Sequence, residues 1–116
     1  MNKPMKTELV ITDTQIGSGI TAIKGALLIC HYDGYLEDGT LFDSSHNHGR
    51  PFQFVIGSGR VIKGWDQGLM GMKAGGLRTL FVPAHLAYGE RQIGQFIKPH
   101  SNLIFHIELL EVRPRE

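Results

Sequence analysis

A single stretch of this chain repeats its apolar residues at a helical period. Val61, Trp65, Leu69 and Met72 are spaced four, four and three apart, so they share one face of a helix. Gly64 and Gly68 lie inside that stretch and weaken it by roughly 1 kcal/mol each relative to alanine, which points to close packing against a neighbour. Gly75-Gly76 ends it. Elsewhere the apolar residues come in strand-length runs between glycines, of which the chain has fifteen. One helix cannot cover both faces of a sheet. It can cover one face of a twisted antiparallel sheet that wraps around it, so the expected fold is α+β.

The strands follow from the runs. Leu9 to Ile11 predicts a short strand, with Gly17-Ser18-Gly19 as a turn after it. Leu27 to Leu36 predicts a longer one, closed by Glu37-Asp38-Gly39-Thr40, whose Asp-Gly pair favours a hairpin turn. Leu41 to Asp43 resumes extended structure, and Ser44 to Arg50 is a polar loop. Phe52 to Ile56 opens with an apolar-polar alternation, as a strand with one buried face requires. Leu77 to Val82 is another, ended by Pro83, and Ala84 to Asn102 is a long irregular connection. The last, Leu103 to Val112, turns Leu103, Phe105, Ile107 and Leu109 to one side, while His106, Glu108 and Glu111 supply polarity elsewhere. Five or six strands and one short helix result. With 116 residues and no repeat or linker, residues 1–116 are expected to form one domain, with 1–8 as a short N-terminal extension.

Twelve basic and eleven acidic residues leave a formal charge of +1, and the bases are scattered, so nucleic acid and membrane surfaces are not the expected partners. Cys30 is the only cysteine and sits in the run Leu27 to Cys30, where an inert buried thiol is expected. Met1 to Glu8 has no apolar leader segment, and no later segment approaches a membrane span. A cytoplasmic setting is the simplest expectation. So is a monomer, because no heptad or long bare edge calls for a partner.

Conventional reactive constellations do not assemble. His46 and His48 lie near Asp43, but no second ligand cluster pairs with them, so a solvated loop is expected rather than a metal site. Ser44, Ser45 and Gly57-Ser58-Gly59 lack the elbow of a serine hydrolase. Gly71 to Gly76 with Lys73 matches neither a P-loop nor a dinucleotide fingerprint. What remains is Trp65, the only tryptophan, and the widely spaced Tyr32, Phe42, Phe52, Phe54, Tyr88, Phe96 and Phe105. Large stiff rings converging on one place either fill a core or line a pocket, and pattern alone leaves both open.

The residues around those aromatics resemble a known family. His31-Tyr32-Asp33-Gly34, Leu36-Glu37-Asp38-Gly39-Thr40, Phe42-Asp43-Ser44-Ser45, Pro51-Phe52-Gln53-Phe54, Val61 to Gly68, Ala87-Tyr88-Gly89 and Ile97 to Phe105 follow, in order and spacing, the signature of FKBP-type peptidyl-prolyl cis-trans isomerases. The match spans about Leu9 to Val112. The resemblance implies a cup between helix and sheet, with Trp65 as its floor. Tyr32, Phe42, Phe52, Val61, Ile62, Tyr88, Ile97 and Phe105 are its implied walls, and Asp43 its rim. Asp43, Tyr88, Ile62, Trp65 and Phe42 are implied to carry catalysis. The Ile62 backbone N–H and the Tyr88 hydroxyl would bond substrate carbonyls, and the Asp43 carboxylate would meet the carbonyl side of the twisting group.

Such a site needs no acid–base pair, no metal and no cofactor. Its implied partners are proline-containing polypeptides and macrolides such as rapamycin or tacrolimus. A non-catalytic module of the same fold, binding proline peptides or macrolides, is the alternative. Two departures from the family pattern stand out. His48 occupies the place where the family often pairs an arginine with the rim aspartate, and Glu90, Arg91, Gln92, Ile93 and Phe96 replace small residues in a loop expected to overhang the cup.

Overall fold

The computed structural model describes residues 7–115, so most of the extension 1–8 falls outside the described residues. Strands β1 (Val10–Gln15), β2 (Leu27–Leu36), β3 (Leu41–Ser44) and β4 (Phe52–Val55) precede the helix α1 (Lys63–Gly68), and β5 (Leu77–Val82) and β6 (Leu103–Arg113) follow it. They form one six-stranded sheet in the order β1-β5-β6-β2-β3, with β4 also paired to β2. Every pairing is antiparallel. The expected α+β architecture is the observed one.

The long central pair, β2 with β6, carries the alternation that the sequence predicts. Leu103, Phe105, Ile107 and Leu109 are buried while His106 and Glu108 are exposed. Cys30 pairs with Leu109 and Ile29 with Glu111, so Leu110 is an extra residue in β6. That bulge shifts the phase by one, and the next buried residue is Val112 rather than Glu111. β1 runs further than the predicted Leu9 to Ile11. Its residues pair only with β5 and are all exposed, so an edge strand can be polar without penalty and leaves little pattern to read.

The helix is shorter than its periodicity predicts. Val61 lies before the N-cap Ile62, whose backbone is extended at φ −57° and ψ 150°, and Leu69 is already the C-cap. Met72 is nevertheless buried, because a turn through Gly71 at φ 81° brings it back beneath the helix. There its carbonyl accepts from Ala22 N–H at 2.7 Å. The two helical glycines have the packing role their cost implied. A Cβ on Gly64 would lie 2.4 Å from a Val82 methyl, and one on Gly68 would lie 2.9 Å from Leu80. The helix therefore rests directly on β5.

Arg78 fixes the far end of that contact. Its guanidinium is buried, with Nε donating to Asp13 at 2.6 Å and Nη1 donating to the carbonyls of Gly68 at 2.8 Å and Met70 at 3.2 Å. The cation is thus paired, and it satisfies carbonyls that the helix end leaves open. Behind the helix an aliphatic core of Leu28, Ile56, Leu69, Met72, Leu80 and Leu109 is closed to solvent. Cys30 belongs to the same core, and burial pushes its thiol up to about 12, as expected for an inert side chain.

Candidate active site

At the start of the helix the core changes from aliphatic to aromatic. The Trp65 ring meets Tyr32 of β2 at 5.1 Å and 83°, Phe52 of β4 at 5.8 Å and 82°, and Phe105 of β6 at 5.3 Å and 89°. Phe54 lies beside it at 5.7 Å. Edge-to-face rings are held apart by their own geometry and do not interdigitate as aliphatic side chains do. An open cavity of about 700 Å³ stands over them.

Of the ten residues that the resemblance placed at the site, Tyr32, Phe52, Val61, Ile62, Trp65, Tyr88 and Phe105 line this cavity. Phe42 stands one layer back, its ring 5.8 Å from Phe105 at 82°. Gly34 makes room for that pair, since a Cβ there would lie 2.7 Å from the Phe42 ring. Asp43 reaches the cup through Tyr32 rather than by lining it. Ile97, 4% exposed like Trp65 and Phe105 and part of the same hydrophobic cluster, does not itself border this cavity.

The rim carboxylate is held from three directions. The Tyr32 hydroxyl donates to Asp43 Oδ2 at 2.6 Å, and the Ser44 N–H donates to Oδ1 at 2.8 Å. His48 Nε2 lies 2.9 Å from Oδ1, and because a carboxylate only accepts, that nitrogen carries the proton. Burial pushes the Asp43 carboxyl up, but these hydrogen bonds outweigh it and hold the group below its usual range. Burial raises the Tyr32 hydroxyl, and its bond to Asp43 adds to the effect. The Tyr88 hydroxyl is raised by burial first and by the Asp43 charge second.

Two hydrogen-bonding groups at the cup have no partner among the described residues, the Tyr88 hydroxyl and the Ile62 N–H. The indole N–H of Trp65 is likewise buried and unpartnered among them. The two histidines of the polar loop go different ways. His46 stacks on His31 at 4.0 Å, while His48 turns to Asp43. Among the described residues no three His, Cys, Asp or Glu side chains group to hold a metal ion.

Several lining residues are not among those that the resemblance placed at the site. Asp66 accepts from the N–H groups of Gly57 at 2.8 Å and Gly59 at 2.9 Å, so it fixes the loop that delivers Val61 and Ile62 to the cup. Arg60, Lys63, His85, Ala87 and Arg91 also line the cavity. The loop expected to overhang does so at one residue only. Ile93 and Ile97 bond each other through their backbones, at 2.8 and 3.2 Å, and fold the loop back on itself. Arg91 then remains on the cavity lining, while Glu90, Gln92, Ile93 and Phe96 are exposed outside it.

Residues 19–110 match the family model described as FKBP-type peptidyl-prolyl cis-trans isomerase. A FK506-binding protein of Neisseria meningitidis serogroup A is 50% identical over 104 residues, covering 90% of this chain and 95% of that one. Peptidyl-prolyl cis-trans isomerase FKBP2 of Mus musculus is 50% identical over 96 residues, covering 83% of this chain and 69% of that one. The crystal structure of AtFKBP13 superposes with a TM-score of 0.83 at 46% identity, over 89% of this chain and 91% of that one.

Proposed function

The chain belongs to the FKBP-type peptidyl-prolyl cis-trans isomerase family, and from that premise we propose that it accelerates rotation about Xaa-Pro bonds in polypeptides and so assists their folding. The observation that carries this reading is an open aromatic cup bordered by two hydrogen-bonding groups without a partner among the described residues, the Tyr88 hydroxyl and the Ile62 N–H.

Rotation about the bond breaks nothing; its barrier of about 18–20 kcal/mol is the loss of amide resonance. The planar amide has a charge-separated resonance form that water stabilises, and the twisted amide has less of it. A dry cup floored by Trp65 and walled by Tyr32, Phe52 and Phe105 favours the twisted state over the planar one. Catalysis is then differential binding rather than proton transfer. Ile62 N–H and Tyr88 hydroxyl each donate to a substrate carbonyl and hold the chain on either side of the rotating bond, each contributing about 0.5–1.5 kcal/mol. Asp43 positions the Tyr32 hydroxyl and presents its charge to the carbonyl side, and Phe42 supports the Phe105 wall.

The same cup would take rapamycin or tacrolimus, a ligand class that the name of the Neisseria relative supports. We place the protein in the cytoplasm as a monomer with no cofactor. The lone buried thiol accords with a reducing compartment, and no helix among the described residues is long and apolar enough to cross a membrane.

Exchange NMR on a short Xaa-Pro peptide, with and without catalytic amounts of protein, tests the reading. Line broadening of the cis and trans signals is the expected result. If the peptide is not accelerated while rapamycin still quenches Trp65 fluorescence, the protein is a binding module of the same fold. If neither occurs, the cup is only a core.

A further inference from the structure

Three strands of the sheet, β1, β3 and β4, have an edge that no other strand pairs, and they are not equally protected. β1 carries Asp13 and a register shift between Asp13 and Gln15. β3 carries Asp43, and its pairing shifts between Gly34 and Tyr35. Charge and bulges of this kind keep an edge from taking up another chain. β4 has neither, for Phe52–Val55 is uncharged and pairs with β2 in unbroken register.

One bond fixes which way the β4 backbone groups point. Ile56 N–H donates to the Ala26 carbonyl at 3.0 Å, and alternate residues of an antiparallel strand face the same edge. Phe54 and Phe52 therefore turn their backbone groups to β2, and Gln53 and Val55 turn theirs outward. Ser58 Oγ donates to the outward Val55 carbonyl at 2.6 Å. The Gln53 N–H, the Gln53 carbonyl and the Val55 N–H are left without a partner among the described residues. A groove of about 710 Å³ opens along them, and Leu27, Val55 and Ser58 are on its lining. Phe52 and Arg60 line both this groove and the cup, so the two spaces adjoin.

We infer that a substrate chain held by its proline in the cup lays one flank along this groove as an added strand on β4. The inference rests on the proposed isomerase reading and adds to its substrate class: the proline is flanked by a segment that stays extended. Gln53 would exchange two hydrogen bonds with one substrate residue, and the Val55 N–H would take a carbonyl two residues further on. Leu27 and Val55, cross-strand partners that are both partly exposed, offer an apolar surface to a substrate side chain. A strand of four residues is short for a lasting dimer. A flank already tethered by its proline binds as an intramolecular event and needs less. The flank in the groove stays still while the other side of the bond turns, so these contacts lower KM and leave kcat unchanged. One hydrogen bond is worth about two- to tenfold. Ordering the flank takes back part of the gain, and about three- to tenfold remains.

The test is exchange NMR on a short Xaa-Pro peptide and on two longer forms, with Thr-Val-Thr-Val added before or after it. The extension that leaves the cup on the Ile62 side is expected to lower KM about three- to tenfold at unchanged kcat. The amides of Gln53 and Val55 should exchange more slowly when it is bound. Two further forms of that peptide are N-methylated at alternate residues of the extension. The gain is lost in the form whose methyls face β4 and kept in the other. Equal KM values for the short and both long peptides, or a gain that the two methylated forms keep or lose alike, overturns the inference. The isomerase reading then stands, because every peptide is still accelerated. If none is accelerated, that reading has failed, and Trp65 fluorescence titration with the same peptides decides the groove. Tighter binding of one extension, lost in one methylated form only, then supports it, and any other pattern overturns it.

Discussion

The inner face of one sheet carries two neighbouring packings that use apolar side chains to opposite ends. Behind the helix, Leu28, Ile56, Leu69, Met72, Leu80 and Leu109 interlock until solvent is excluded. In front of it, Tyr32, Phe52, Trp65 and Phe105 meet edge to face and leave a cavity of about 700 Å³. Flexible aliphatic chains fill a space, while stiff rings frame one. The first packing holds the fold, and the second has room for a ligand because the first does not depend on it.

The widest separation between the two halves should appear on truncating the closed one. Leu80→Ala is expected to cost about 2–5 kcal/mol of stability in urea denaturation. Its kcat/KM per folded molecule should stay within about twofold of the parent, and a larger loss would mean that the halves are not independent.

Gly64→Ala joins the halves, because the new methyl would press on Val82. Overpacking of this kind costs about 1–3 kcal/mol. Here both the denaturation midpoint and kcat/KM should fall together, since Trp65 moves with the helix. Tyr88→Phe acts on the open half alone. It should lower kcat/KM about two- to tenfold, as one lost hydrogen bond implies, and leave the denaturation midpoint nearly unmoved.

The smallest effects belong to the rim. Asp43 titrates low in the folded protein. Its stabilisation is therefore complete above the ordinary carboxylate value of about 3.9 and is lost as pH falls through the lower folded value. Asp43→Asn should flatten the acid limb of a stability–pH curve. Asp43→Ala and His48→Ala should lower activity non-additively at pH 6 and pH 8, because the two side chains share one hydrogen bond. Additive losses at both values would sever His48 from the site.

Much of this contrast could be read from the residues. Leu27–Leu36 and Leu77–Val82 were delimited to the residue because their apolar runs end at turn or proline signals. The helix was overextended because periodicity reports which residues face the core, not which are hydrogen-bonded in a helix. Met72 returns to that face through a turn. β1 was under-read because an exposed edge strand has no buried side to pattern. The residues of the cup were named through the family resemblance, yet which of them border the open cavity was not, so half-buried Phe42 and buried Ile97 stand off its lining. Arg60, Lys63 and His85 were not foreseen on the lining because they are scattered along the chain and meet the cavity only in three dimensions, whereas Arg91 was expected to overhang it.

The buried thiol of Cys30 has a practical consequence. With an ordinary exposed thiol near 8.5 and Cys30 pushed up to about 12, the native side chain presents about three orders of magnitude less thiolate at neutral pH. With no exposed surface either, Cys30 should resist maleimide, and the chain is expected to serve as a cysteine-free background. A single cysteine introduced on the exposed loop beside the mouth, such as Gln92→Cys, would take a fluorophore at one site and report occupancy of the cup without any second mutation.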